Sequence, residues 1–105
     1  MTSFDFTLTD DDIELTRRFM IYTEEHGIKY FTSDDFRRAG LDQAFAHPET
    51  QIGTYFSKLA YNRVAVFVGE LPSKVPSNNR RRNDLRYWDY ARWRVLIKSL
   101  AAPSR

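Results

Sequence analysis

The hydrophobic period changes once between Pro48 and Arg82, and that change restricts the fold more than any other feature of the chain. Over residues 48–62, at about 100° per residue, Ile52, Phe56 and Leu59 fall on one side of a helix. Thr50, Gln51, Thr54, Ser57, Lys58 and Tyr61 fall on the other. This polar side offers hydroxyls, an amide and an ammonium but no carboxylate, a composition suited to approaching a polyanion and to hydrogen-bonding base edges. The run Val64-Ala-Val-Phe-Val68 then reads as a strand, and Asp84-Leu-Arg-Tyr-Trp-Asp-Tyr90 as its return. Between them lies the basic connection Pro72-Ser-Lys-Val-Pro-Ser-Asn-Asn-Arg-Arg-Arg-Asn83.

Charge is distributed as unevenly as hydrophobicity. Residues 1–50 carry five basic and eleven acidic side chains, a net of −6, whereas residues 51–105 carry eleven and three, a net of +8. The overall charge of +2 conceals this polarity, and a fold that gathers the basic half on one side would attract phosphates despite it. At 105 residues with 42% hydrophobic side chains, the chain can close one modest core, so a single domain over 1–105 is expected.

Residues 1–8 alternate loosely around Phe4, Phe6 and Leu8 and are expected to form an N-terminal arm packed on the domain. Thr9 with Asp12 has capping-box spacing, and Asp10-Asp11-Asp12 suits the positive end of a helix dipole. The helix that starts there should carry Ile13, Thr16, Phe19, Met20 and Thr23 inward and end at Gly27. Ile28 to Phe31 reads as a brief strand or extended connector. Thr32 with Asp35 repeats the capping-box spacing, predicting a short helix over Ser33 to Ala39 that closes at Gly40. Ala44 and Phe45 are expected core contacts in the turn that follows. Pro48 suits the first position of the next helix. Gly53 lies within that helix, and close approach of the preceding helix is the expected reason for it, ahead of the functional alternative, close approach of a phosphate backbone. Residues 91–101, with Trp93, Leu96, Ile97 and Leu100, predict a C-terminal helix that either covers the first helix or forms a homodimer face.

Several functional classes find no support. With no cysteine, the chain has no disulfide, thiolate metal site or cysteine nucleophile. His26 and His47 stand far apart without metal-ligand spacing, and the consecutive aspartates point in different directions on a helix, so no metal or cofactor is expected. There is no phosphate-binding glycine loop and no nucleophile motif; Asp84 and Asp89, five apart on a return strand, read as surface solubilising groups rather than a catalytic pair. The expectation is a non-enzymatic protein. The N-terminus lacks the pattern of a secretory signal and no apolar run approaches the roughly 20 residues of a membrane span, so a cytoplasmic protein without membrane contact is expected.

The order helix, short strand, helix, turn, helix, two-stranded hairpin, helix resembles the winged helix-turn-helix superfamily over nearly the whole chain. The resemblance implies an α+β fold with a three-helix core, a long β-wing over residues 64–90 and an extra C-terminal helix. It makes residues 48–62 the recognition helix, which in that superfamily enters a major groove while the wing touches backbone or minor groove. The function it implies is double-stranded DNA binding, in the manner of a transcriptional regulator. Lys74, Arg80, Arg81 and Arg82 would neutralise phosphates, Thr50, Gln51, Thr54 and Lys58 would face bases or backbone, and Asn78 and Asn79 could join either role. Two alternatives stand beside it. One is a protein-interaction module in which Tyr30, Phe31 and the C-terminal aromatics matter more than the arginines; the other is RNA or single-stranded DNA binding through exposed aromatics.

Overall fold

A computed structural model describes residues 6–71 and 83–101. Among them are four α-helices and one two-stranded antiparallel sheet, an α+β arrangement. The order is α1 (Asp10–Glu25), α2 (Ser33–Arg38), a 3-10 turn (Leu41–Ala44), α3 (Pro48–Tyr61), β1 (Ala65–Leu71), β2 (Asn83–Trp88) and α4 (Tyr90–Ala101). None of these helices is long and apolar enough to cross a membrane.

Local hydrogen bonds place the helix ends where the sequence puts them. Thr9 Oγ1 accepts from the Asp12 amide at 3.1 Å while Asp12 Oδ2 accepts from the Thr9 amide at 2.9 Å, closing a full capping box; Thr32 and Asp35 close a second. After α1, Gly27 takes the left-handed conformation (φ 63°), so that the Ile28 amide reaches back to the Thr23 carbonyl at 2.8 Å. Asp89, expected at the surface of a strand, instead caps α4, its Oδ1 accepting from the Arg92 amide at 3.0 Å.

The hairpin pairs Ala65 with Trp88 through Leu71 with Asn83, and a bulge at Val68 shifts the register between Phe67 and Gly69. The extended residues after α1 reduce to one rung. Phe31 exchanges both backbone hydrogen bonds with Arg86, at 2.8 and 3.0 Å, which stitches the α1–α2 connection to the free side of β2. Residues 72–82 of the hairpin connection, and with them Lys74, Asn78, Asn79 and Arg80 to Arg82, lie outside the described residues, as do residues 1–5 of the arm.

Each α-helix and strand β2 send an aromatic side chain into a shared core. Phe19 of α1 is fully buried, with ring centroids 5.0 Å from Phe31, 5.2 Å from Phe36 of α2, 6.1 Å from Phe56 of α3 and 5.4 Å from Trp88 of β2. Leu8 of the arm is buried beside this cluster. Trp93 of α4 is buried too, with the Arg17 guanidinium of α1 5.9 Å above its ring, so α4 lies on α1. Two positions depart from expectation. Ala44 is exposed, because the 3-10 turn directs Leu41 and Phe45 toward the core instead. Tyr55, which the apolar face of Ile52, Phe56 and Leu59 did not include, is one of the most deeply buried side chains.

Burial of Tyr55 requires a partner for its hydroxyl, and α1 supplies it. Thr16 Oγ1 donates its single proton to the Asp12 carbonyl at 2.7 Å, so the Tyr55 hydroxyl, 2.6 Å from Thr16 Oγ1, must be the donor of that second bond. Burial, reinforced by the nearby Asp12 charge, raises the Tyr55 pKa well above the usual phenol value. The protonated form is therefore favoured by folding. Its contribution is complete below the unfolded tyrosine pKa of about 10 and is lost as pH rises toward the folded value. Tyr55→Phe should cost about 1 kcal/mol at pH 7 in urea unfolding, because Thr16 keeps its own acceptor. The stability difference between wild type and variant should shrink above about pH 10; an unchanged difference at pH 11 would contradict the burial of this hydroxyl.

Candidate nucleic-acid interface

Packing of Ile52, Tyr55, Phe56 and Leu59 into the core turns the opposite side of α3 outward. Thr50, Gln51, Gly53, Thr54, Ser57 and Tyr61 are all exposed on it. Tyr61 is stacked on Phe6 of the arm at 4.6 Å, so the arm crosses the C-terminal end of the helix. The Thr50 and Thr54 hydroxyls donate back to the carbonyls of His47 and Thr50, at 3.2 and 3.4 Å. Both bonds are long, and each hydroxyl can rotate to another acceptor. Gln51 is more committed: its Oε1 accepts from the His47 amide at 2.6 Å, capping the start of α3 and leaving its amide protons for another partner.

Lys58 sits differently from the other three candidates on the helix. Its ammonium is 3.0 Å from Asp12 Oδ2, with both side chains largely sheltered, so α1 neutralises the one cation on this face. Asp12 already caps α1 with the same oxygen, and the ion pair thus joins the α1 N-terminus to the last turn of α3. The flank of α3 on the Gln51 side is correspondingly acidic, a concave surface lined by Asp11, Asp12 and Glu14 with Arg18.

The other flank faces the hairpin. A cavity of about 350 Å³ opens there between α2, α3 and β2, with Arg37, Glu49, Gly53, Ser57, Asp84 and Arg86 in its walls. The Arg86 guanidinium lies 5.4 Å above the Phe56 ring, and its Nη2 is 3.3 Å from Asp84 Oδ2. Burial lowers the Arg86 pKa and the Asp84 charge opposes that shift. Arg86 Nε and Asp84 Oδ1 are buried without hydrogen-bond partners. Asp84 is thus a partner for a half-buried arginine rather than a solubilising surface group. Arg86 escaped notice in the sequence, although its place two residues after Asp84 puts both on one face of a strand.

Gly53 does not have the role its position suggested. A Cβ built there meets nothing within 4 Å, and its φ is not positive, so neither α2 nor the helix itself demands a glycine. Among the described residues, no group of three or more His, Cys, Asp or Glu side chains could hold a metal ion.

No protein-family model matches the chain, and no curated protein or solved structure shows significant similarity to it. Its geometry therefore carries the functional argument alone. Gly53→Ala should raise stability by about 0.5–1 kcal/mol, the ordinary helix preference of alanine, when measured by urea unfolding. A destabilised Gly53→Ala protein would show that something does approach that backbone in the free chain.

Proposed function

We propose that this protein is a winged-helix, double-stranded DNA-binding protein that uses α3 as its recognition helix and the hairpin over residues 64–90 as its wing. The observation that carries the reading is the exposed hydroxyl-and-amide face of α3, which lies beside a hairpin whose connection holds Lys74 and Arg80 to Arg82. The three helices before the hairpin, and the Phe31 rung that makes β2 the middle of three extended segments, are consistent with a winged-helix arrangement.

The two flanks of α3 assign different work to the two segments. On the Gln51 side Asp12 and Lys58 neutralise each other and Glu14 pairs with Arg18, which leaves Asp11 to repel phosphates there. Net attraction must then come from the hairpin connection, while Thr50, Gln51 and Thr54 add hydrogen bonds to bases or backbone. Gly53 fits this division, because the absent side chain lets a sugar–phosphate backbone come close to the helix. In this reading the protein acts in the cytoplasm as a transcriptional regulator.

The test is fluorescence anisotropy of a labelled random-sequence duplex titrated at several salt concentrations. If Lys74 and the three arginines each displace a counterion, log K should fall with log salt at a slope of about −3 to −4 per subunit. The Arg80→Glu/Arg81→Glu/Arg82→Glu variant should lose binding, whereas Thr50→Ala/Thr54→Ala should keep most affinity for random duplex and lose sequence preference. Failure of the folded wild type to bind at low salt would eliminate the proposal.

A further inference from the structure

A second concave surface lies where α4 meets α1, and its chemistry differs from that of the α3 face. It is a groove broadly open to solvent, with a volume of about 560 Å³. Its apolar lining comes from Trp93, Val95 and Ile97, and every charged residue in its walls is basic: Arg17, Arg94 and Lys98. Arg94 and Lys98 make no ion pair among the described residues, and Arg17 is held over the Trp93 ring. Val95 is 58% exposed, and Ile21, one turn along α1 from Arg17, is 54% exposed. One exposed aliphatic side chain is ordinary on any surface; here Val95 stands inside a cleft whose rim carries a single sign of charge.

We propose that this groove docks an acidic amphipathic segment of a partner protein. Such a segment would set aliphatic side chains at helical spacing against Val95 and Ile97 while its carboxylates meet Arg94, Lys98 and Arg17. A second copy of the chain fits less well: two-fold pairing would press the same patch against itself and oppose Arg94 and Lys98 with cations, with no carboxylate in either lining. Nucleic acid fits less well too, because the one aromatic ring in the lining, Trp93, is buried and covered by Arg17 and offers no stacking platform. None of the groove residues belongs to the α3 face or the hairpin, so the proposal stands independently of DNA binding.

The probe is a fluorescein-labelled 16-residue helical peptide of Glu and Leu in an i, i+3, i+4 pattern, with a twin carrying Lys in place of Glu. Full-length protein should bind the Glu peptide with salt-sensitive affinity and bind the Lys twin at least ten-fold more weakly. Arg94→Glu/Lys98→Glu and Val95→Asp change exposed residues and should each reduce Glu-peptide binding at least ten-fold, with unchanged circular dichroism and duplex binding. Equal binding of the two peptides, or undiminished binding by the charge-reversed variant, overturns the proposal. So does a wild-type dimer in light scattering that Arg94→Glu/Lys98→Glu converts to monomer, which would give the groove to a second copy. Loss of duplex binding in the same variant would give it to nucleic acid and overturn the proposal equally, while the Arg80–Arg82 variant reports on the wing separately.

Discussion

Everything in this fold depends on a ring at the centre of α1. Phe19 meets Phe31, Phe36, Phe56 and Trp88, which belong to the connection after α1, to α2, to α3 and to β2. Three of the four contacts are edge-on, the arrangement in which the positive ring edge meets the negative ring face. A six-residue helix such as α2 could not persist alone, and a two-stranded hairpin is marginal alone. Both are held because Phe36 and Trp88 have no other way to leave water. The orientation of the exposed face of α3 follows from the same contact, since Phe56 on the ring fixes which side of the helix remains outside.

The aromatic core is tied to α1 by a polar device used twice. Thr16 and Thr23 lie two turns apart on the buried side of the helix. Each hydroxyl donates to a carbonyl of α1, that of Asp12 or of Met20, and each accepts from a large aromatic group of another element. Tyr55 of α3 donates to Thr16, and the Trp88 indole donates to Thr23 at 2.9 Å. Apolar packing alone would allow the large rings to slide on one another. A buried donor with a single acceptor in reach cannot slide without losing its bond, which costs more inside a protein than at its surface. These two bonds therefore set the positions of α3 and the hairpin relative to α1.

What could be read from the sequence divides along the range of the interactions. Both capping boxes and the left-handed glycines at 27 and 40 are set by hydrogen bonds within a few residues, and all were legible. The strands of the hairpin were legible from their composition. The roles of Thr16 and Thr23 as acceptors were not, because their donors lie 39 and 65 residues away. The sequence pattern assigns Tyr55 to neither face of α3, because its burial depends on the distant Thr16 partner. Gly53 misled for the opposite reason: its angle on the helix wheel lies near the core, yet α2 leaves the cavity beside it open. At the left-handed C-terminus of α3 the chain places Arg63 (φ 64°) where glycine would be less strained, and nothing in a local pattern announces that choice.

The acidic start of the chain comes to lie, in the fold, along one side of α3. The acidic start of α1 does not lie remote from the basic half; it borders α3 directly and neutralises Lys58. Under the nucleic-acid reading, this placement gives a duplex only one favourable direction of approach. Phosphates on the α1 side would meet Asp10 and Asp11, which pair with no cation among the described residues, and the attraction would fall to Lys74 and the arginines of the hairpin connection. A face with cations on both flanks would bind more tightly but would accept DNA in either orientation. Under the same reading, opposed flanks would give up part of that attraction and would fix the direction in which α3 lies along a groove, which is a condition for reading a sequence that is not its own reverse complement.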